Sequence, residues 1–410
     1  MSKDTCTVKK TFITYDESIE ILNNLTLKEK NTKKLFISDA LGYILAQDIV
    51  AQHNSPEFPT SAMDGYAFKY EDINLGSLQI IDYNPAGSIV SSEVVAGTCI
   101  KTFTGSLMPK GSDTLIPIEN VTVQDDMIII NEEVPFAYAT RKVGENYAKD
   151  EVLIKKGCKI DFAQIGVMAS LNIIQVEVYE KTTITVASTG SEILDLGDTQ
   201  INDSQIRSSN HLTLEAIAKK YGANVNQKGV VKDDKQSILN LIKNSLDSSD
   251  IVVTTGGVSV GDYDFVKDII KDELGATVLF QGVLIKPGQH IIVAKKDNKF
   301  IVGLPGFAYS STVTFILYVL PLLFKLQSSK EKLKIVEANI KSSFSKKGNK
   351  TTFTAVNLTL SDGQYYCDFD GKKNGTSAIL TNLLGNSGLL ICSQGEQSYT
   401  MGDKVKVLKI

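Results

Sequence analysis

From Lys181 to about Leu326 the chain alternates β-branched runs with helical stretches, and no other feature constrains its fold as tightly. Residues 183–187 and 224–231 read as strands, and 250–254 (DIVVT) is a strand that is apolar at its centre on both faces. Helical texture fills the intervals: residues 209–221, a stretch up to Leu246 capped by Asp233 or Asp234, residues 263–274, and a last helix from near Tyr309. Residues 277–285, 291–294 and 300–302 are extended. A strand without polar alternation is buried on both sides. The pattern therefore predicts a mostly parallel sheet with helices on both faces, a three-layer α/β domain over residues 181–328. Ligands of such sheets sit beyond the carboxyl ends of the strands, which singles out the loops to read.

At 410 residues the chain exceeds what one core spans, so several domains are expected. Residues 1–50 with 147–180 read as a split mixed α+β domain. In its first part Asp16 caps a helix over 17–25, Thr26 caps a short one around 28–30, and Ser38 opens a third over 39–47. In its second part a strand, a helix over 162–171 and another strand follow. Between the two parts, residues 51–146 carry short runs punctuated by Gly and Pro (77–83, 100–103, 114–118, 127–130) and predict an inserted β domain. Residues 329–410 return to period-2 runs (334–340, 352–360, 388–392, 404–410), a small C-terminal β-sandwich or barrel.

The net charge of −4 argues against a nucleic-acid or membrane-surface binder, because either needs surplus Lys and Arg. An anion must be held by local geometry instead. Cys6, Cys99, Cys158, Cys367 and Cys392 form no CxxC pair, which speaks against a disulfide framework and a zinc site. His53, His211 and His290 are far apart and read as ordinary imidazoles. The N-terminus lacks the apolar stretch of a signal peptide. The longest apolar run, 313–324, is too short for a bilayer, contains Pro321 and reads as a buried helix. The expected compartment is the cytoplasm.

Four loops of the α/β domain are unusual, and all are expected at one sheet edge. The first runs Thr254-Thr255-Gly256-Gly257-Val258-Ser259-Val260-Gly261-Asp262-Tyr263-Asp264. Its glycines let backbone amides approach an anion, Ser259 adds a hydroxyl, and Asp262 or Asp264 offers a hard oxygen ligand for Mg²⁺. It is neither GxGxxG nor GxxxxGK[ST], so dinucleotide and P-loop readings do not apply. The second, Ser188-Thr189-Gly190-Ser191-Glu192, supplies hydroxyls and a carboxylate. The third, Lys286-Pro287-Gly288-Gln289, places one positive charge on a turn. The fourth, Gly303 to Ser310, joins a strand to a helix start where Ser310 can donate to an oxyanion. Taken singly, each also reads as a plain turn or helix cap. Outside this domain, Pro59-Thr60-Ser61-Ala62-Met63-Asp64-Gly65-Tyr66-Ala67 exposes a turn carboxylate, and Thr104-Gly105 and Arg141 with Gly144-Glu145 lie in the same β domain.

Together, PTSAMDGYA (59–67), STGSE (188–192), TTGGVSVGDYDFVK (254–267), IKPG (285–288) and GLPG (303–306) with Ser310 resemble the molybdopterin molybdenumtransferase family, related to the C-terminal domain of gephyrin. The motifs follow the family order, and the resemblance covers essentially the whole chain. It implies a molybdopterin-binding α/β domain, and an elongated homodimer in which Asp64 reaches the active site of the neighbouring subunit. It also implies contacts with other molybdenum cofactor assembly proteins. The implied reaction takes adenylylated molybdopterin and molybdate, uses Mg²⁺ to cleave the pyrophosphate bond, inserts the metal and releases AMP.

On this resemblance Asp64, Asp264, Asp233 and Asp234 are the catalytic acids, with Asp264 and Asp64 at the metal. Substrate contacts are Ser188, Thr189, Gly190, Glu192, Arg207, Gly256, Gly257, Ser259, Gly261, Asp262, Lys286, Pro287, Gly288, Pro305, Gly306, Ser310 and Thr104. The chain also departs from the family pattern. Asn146 replaces an acid, Gln289 a lysine, Phe307-Ala308 an Asn-Pro pair, and Ser191 an aspartate. These changes motivate an alternative: a catalytically weakened paralogue that binds molybdopterin or the finished cofactor as a carrier or scaffold.

Overall fold

The structure, a computed structural model, describes residues 12–257, 265–373 and 377–410. Two compact units are present: Gln47–Lys156 with Phe162–Ile174, and the remainder of the described chain.

In the larger unit, strands β1 (Thr183–Thr189), β2 (Asn224–Val231), β3 (Ile251–Thr255), β4 (Thr277–Gln281), β5 (Ile292–Lys296) and β6 (Lys299–Leu304) form one sheet in the order β2-β1-β3-β6-β5-β4. The first four in that order are parallel, and β5 and β4 close the edge antiparallel. Helices α1 (Asn210–Lys220) and α2 (Lys235–Ser248) lie between the early strands in sequence. Successive residues of a strand enter different cores. Ile251, Val253 and Val302 pack with Leu214 and Ala218 of α1. Val252 and Ile301 pack with Ile238 and Ile242 of α2. Every residue of β3 is buried, which is why its sequence shows no polar face. Register decides function here: Ser188 stands opposite Thr255, and Thr255 opposite Leu304. Three parallel strands therefore end level with one another.

The helical run Ala308–Leu326 is apolar and long enough to cross a bilayer, yet 89% of it is buried in the protein. It passes through Pro321 after a π turn, Phe315–Val319, that loosens the ladder where proline brings no N–H. Beyond it, Ile335–Ile340, Thr351–Ser361, Gln364–Asp368, Ser387–Cys392 and Lys404–Lys409 close into a five-stranded barrel. Closure follows because Thr351–Ser361 pairs with both Gln364–Asp368 and Ser387–Cys392. Gln364–Asp368 is an addition to the predicted strands; its mixed tyrosine and polar residues give no clear alternation.

The smaller unit is built on a six-stranded sheet in the order Thr114–Pro117, Gly65–Phe68, Thr98–Thr102, Ser77–Asn84, Met127–Ile130, Val121–Gln124. Tyr66, Phe68, Leu78, Cys99, Ile116 and Ile128 form its core.

Several expectations are corrected. The first helix, Tyr15–Asn23, is capped by Thr14 in a reciprocal box with Glu17, not by Asp16. Residues 28–30 are not helical: the Lys28 amide donates to Asn298 and the Lys30 ammonium to Asp250, ties that a free helix would not make. Residues 39–47 form only the 3₁₀ turn Ile37–Asp39, since Gly42 at φ 78° breaks any continuation. Residues 147–156 and 162–174 cluster in the compact unit of Gln47–Lys156, where Val152–Ile154 pairs with Ile49–Val50, while Gln175–Tyr179 pairs with Thr32–Phe36 in the other unit. Finally, Ile285–Lys286 is no strand of the central sheet. It pairs in parallel with Thr351–Thr352 of the barrel.

Candidate active site

At the level ends of β1 and β3 the side chains are hydroxyls rather than hydrocarbons, while β6 beside them ends in Gly303-Leu304. Thr255 Oγ1 donates to Ser188 Oγ at 3.1 Å, and Ser208 Oγ donates to the same oxygen at 3.1 Å. Asn210, at the start of α1, sends its amide to Thr255 Oγ1 (3.3 Å) and to the Gly306 carbonyl (2.6 Å). One side chain thus ties the turn after β6 to the end of β3. Ser188 is fully buried. Its hydroxyl is held inside this network, so it shapes the edge from beneath instead of facing a ligand.

Backbone geometry makes the edge concave. Gly256 has φ 96°, and a Cβ there would lie 2.5 Å from the Thr189 carbonyl oxygen. Gly257 has φ 66°. Only glycine fits such a turn without strain. The Gly256 amide donates to the Leu304 carbonyl at 3.0 Å, and a Cβ on Gly306 would stand 3.8 Å from the Gly256 Cα. The turns after β3 and β6 therefore touch. Gly190 completes the group, with Glu192 folded back beside it.

A second feature adjoins the first. A cavity of about 480 Å³ opens between Lys286-Pro287, Tyr309 and the barrel, where Lys346, Lys347 and Lys373 join the lining. Four lysines line one space in a chain of net charge −4, a local concentration of positive charge. Lys346 donates to the carbonyls of Lys350 and Cys392 at 2.8 and 3.2 Å and to that of Ser393, so its ammonium is fixed and lends charge but no free N–H. Ser310 is buried with its amide and hydroxyl on the Ser377 carbonyl (3.2 and 3.3 Å), and Ser377 lines the cavity. Gly306 at the first feature and Tyr309-Ser310 at the second are one helical turn apart. Phe307, at the cap between them, brings no side-chain oxygen, and of the first helical amides that of Ser310 is taken by the Ser377 carbonyl. The Lys286 turn therefore meets the barrel cavity, not the hydroxyl edge where it was expected.

In the smaller unit, Asp64 sits in the bend before Gly65–Phe68. Thr104 donates to it from both hydroxyl and amide, and with the nearby Lys101 charge these bonds hold its carboxyl below the usual range. Both bonds fall on Oδ1, and no described residue donates to Oδ2, leaving an ionised oxygen exposed to solvent. Thr60–Ser61 pairs with Thr140–Arg141, so the segments bearing Asp64 and Arg141 run side by side. There Glu145 accepts from Arg141 at 3.1 Å, and Asn146 donates to Ser55 at 3.5 Å.

The remaining predicted residues divide. Thr189 is buried and donates to the Thr255 carbonyl. Arg207 is exposed and donates to the Asp195 carbonyl at 3.1 Å. Asp234 caps α2, both carboxylate oxygens being taken by Ser237. Asp233 precedes it and is half-buried. Ser259, Gly261, Asp262 and Asp264 lie outside the described residues. Two residues that the sequence did not single out belong to the edge: Asn210, and His211, which is completely buried. The run Ser208-Ser209-Asn210 ahead of a helix was the available signal, and it reads equally well as an ordinary cap.

Fold and site together define a multidomain protein built on an α/β domain of the molybdopterin-binding type. Residues 13–172 match the family description "MoeA N-terminal region (domain I and II)", and residues 185–325 match "Probable molybdopterin binding domain". A molybdopterin molybdenumtransferase of Staphylococcus aureus is 33% identical over 331 residues, 79% of this chain and 78% of its own. That of Staphylococcus epidermidis is 29% identical over 98% of this chain and 96% of its own. The crystal structure of a molybdopterin biosynthesis moeA protein from Pyrococcus horikoshii OT3 superposes with a TM-score of 0.83 at 25% identity, covering 98% of this chain and all of that one. The chain belongs to the molybdopterin molybdenumtransferases, a family of transferases in molybdenum cofactor biosynthesis.

Proposed function

We propose that this chain inserts molybdate into adenylylated molybdopterin with release of AMP, in a Mg²⁺-dependent reaction in the cytoplasm. The observation that carries the reading is the adjacency of two anion-adapted surfaces, the glycine-turn edge and the lysine-lined cavity, one helical turn apart at Gly306 and Ser310. Phosphoryl cleavage asks mainly for positioning and charge neutralisation, and needs no nucleophilic side chain. Backbone amides at Gly257 and Gly306 suit a pyrophosphate, the Gly256 amide being spent on the Leu304 carbonyl. The lysine cavity suits a tetrahedral dianion such as molybdate, with Lys286 supplying charge. The central sheet with its two apolar faces supports the three-layer form of the domain.

The donor set fits magnesium. Mg²⁺ keeps several waters and takes one or two carboxylates plus substrate phosphates. The free Oδ2 of ionised Asp64 is such a ligand, with Asp264 as its partner on the family motif. When bound, the cation would neutralise charge on the pyrophosphate oxygens. The reading places two chains together, Asp64 of one serving the α/β domain of the other. Asp233 remains a supporting acid in this reading, while Asp234 serves as a cap.

A second reading, a carrier that holds the cofactor without inserting metal, draws on Asn146. Its amide on Ser55 puts a neutral group where the family has an acid beside the Asp64 segment. One assay separates the two: AMP release from adenylylated molybdopterin with and without molybdate. The transferase reading expects molybdate- and Mg²⁺-dependent release. Tight ligand binding without AMP release would leave the carrier.

A further inference from the structure

His211 is buried to 0% exposure, and its imidazole lies between two unlike neighbours. Nδ1 is 3.0 Å from Ser208 Oγ and 3.4 Å from Ser188 Oγ. Nε2 is 3.2 Å from Asp195 Oδ1, at ion-pair distance but without the alignment of a linear hydrogen bond, and it has no other partner among the described residues. Asp195 is itself fixed. It accepts from the amides of Leu196 (2.7 Å) and Val230 (3.2 Å), and its carboxylate packs where any side chain at Gly229 would stand.

The Asp195 carboxylate beside Nε2 draws the ring proton to that nitrogen, since a bare Nε2 would set two lone pairs against each other at 3.2 Å. Nδ1 is then bare and accepts from the Ser208–Ser188 hydroxyl pair, 3.0 and 3.4 Å away. The donors then run one way: Asn210 to Thr255, Thr255 to Ser188, the serine pair to His211, and His211 towards Asp195. The same Asn210 amide holds the Gly306 carbonyl. One buried ring thus sets the hydrogen-bond direction through the ends of β1 and β3 and the turn after β6.

We propose that His211, backed by Asp195, is a positioning residue for the ligand site: its bare Nδ1 locks the Ser188–Thr255–Asn210 chain and so the spacing of the glycine turns. It touches no substrate itself. The inference rests on the sheet edge being the ligand site, and its tests are chosen to separate the two ideas. The first test is ¹⁵N NMR of the imidazoles, of which the chain has three, with His211→Leu to assign the signal. The expected signature is a single Nε2–H tautomer. A protonated Nδ1 would overturn the proposal whatever the enzyme does. The second test is kinetic. His211→Asn keeps an oxygen close to the place of Nδ1, whereas His211→Leu removes the acceptor. The leucine variant should raise KM for adenylylated molybdopterin about tenfold with kcat nearly unchanged, the scale of one buried acceptor lost. The asparagine variant should recover most of that loss. Equal impairment of both, or wild-type KM in the leucine variant, would refute the positioning role. Should the wild-type chain release no AMP, dissociation constants of the same ligand replace KM, so the proposed reaction can fail while this inference stands or falls separately.

Discussion

Thr104 gives both its amide and its hydroxyl to one oxygen of Asp64, each at 2.7 Å. Two donors on Oδ1 keep the carboxyl ionised and turn Oδ2 outward. Asp64→Asn should lower kcat/KM on the order of 10²-fold, the scale for loss of one preorganised charged group. Thr104→Ala removes the larger cause of the depressed pKa. The sign is fixed: a depressed carboxyl stays charged to lower pH, and its stabilising share is lost as pH falls through the folded value. The alanine variant should therefore lose activity at a higher pH than wild type on the acid limb, with little change in melting temperature because Asp64 is exposed. Superimposable acid limbs would remove Thr104 from this role.

Gln289 stands where the family has a lysine, and its Oε1 accepts a hydrogen bond from the Lys350 ammonium of the barrel. The substitution is therefore matched: a neutral acceptor faces a positive donor between Lys286 and the barrel. Restoring the family residue should harm this chain. In Gln289→Lys two ammonium groups would meet at a partly buried site, costing roughly 1–4 kcal/mol. The melting temperature should fall and recover partly in high salt, as like-charge repulsion is screened. A variant as stable as wild type at low salt would show that Lys350 has somewhere else to go.

The sequence carried the sheet and its loops because they obey local rules. Residues 224–231 and 127–130 match the observed strands, and 250–254 differs by one residue, since β-branched runs between turn signals leave little choice. The N-terminal segment failed for the opposite reason. Lys28 and Lys30 look helical alone, but distant Asn298 and Asp250 hold them, and no local pattern reports a partner more than 200 residues away. The same limit hid His211. Its importance comes from burial against Asp195, Ser188 and Ser208, and a lone histidine in a polar run gives no hint of that. Lys286 was expected at the edge of the central sheet but pairs with the barrel, because a two-residue strand carries no signature of which neighbour it joins.

Asp234 separates a structural acid from a catalytic one. Both its oxygens are on Ser237, and these bonds hold its carboxyl below the usual range as the N-cap of α2. Asp234→Ala should lower the melting temperature by a few degrees, as expected for a lost cap, and leave kcat within about twofold. Asp234→Asn or Asp234→Ser should restore stability, since either can cap. A collapse of kcat in a well-folded alanine variant would return this residue to the list of catalytic acids.

Gly256 and Gly306 offer the sharpest test of the ligand edge, because they differ in what a methyl group would meet. At Gly256 the backbone has φ 96°, and a Cβ would press on the Thr189 carbonyl at 2.5 Å and its hydroxyl at 2.8 Å. Gly256→Ala should cost roughly 1–3 kcal/mol of stability from backbone strain, and activity should fall with it. At Gly306 the backbone is not left-handed, and the nearest atom to a new Cβ is the Gly256 Cα at 3.8 Å, an ordinary contact. Gly306→Ala should therefore melt like wild type. If the turns cradle a phosphorylated ligand, the added methyl fills space the ligand needs, and binding of adenylylated molybdopterin should weaken about tenfold with the fold intact. Measuring both variants by thermal melting and by titration separates strain from obstruction. Unchanged affinity in Gly306→Ala would mean that the ligand does not approach the turn after β6.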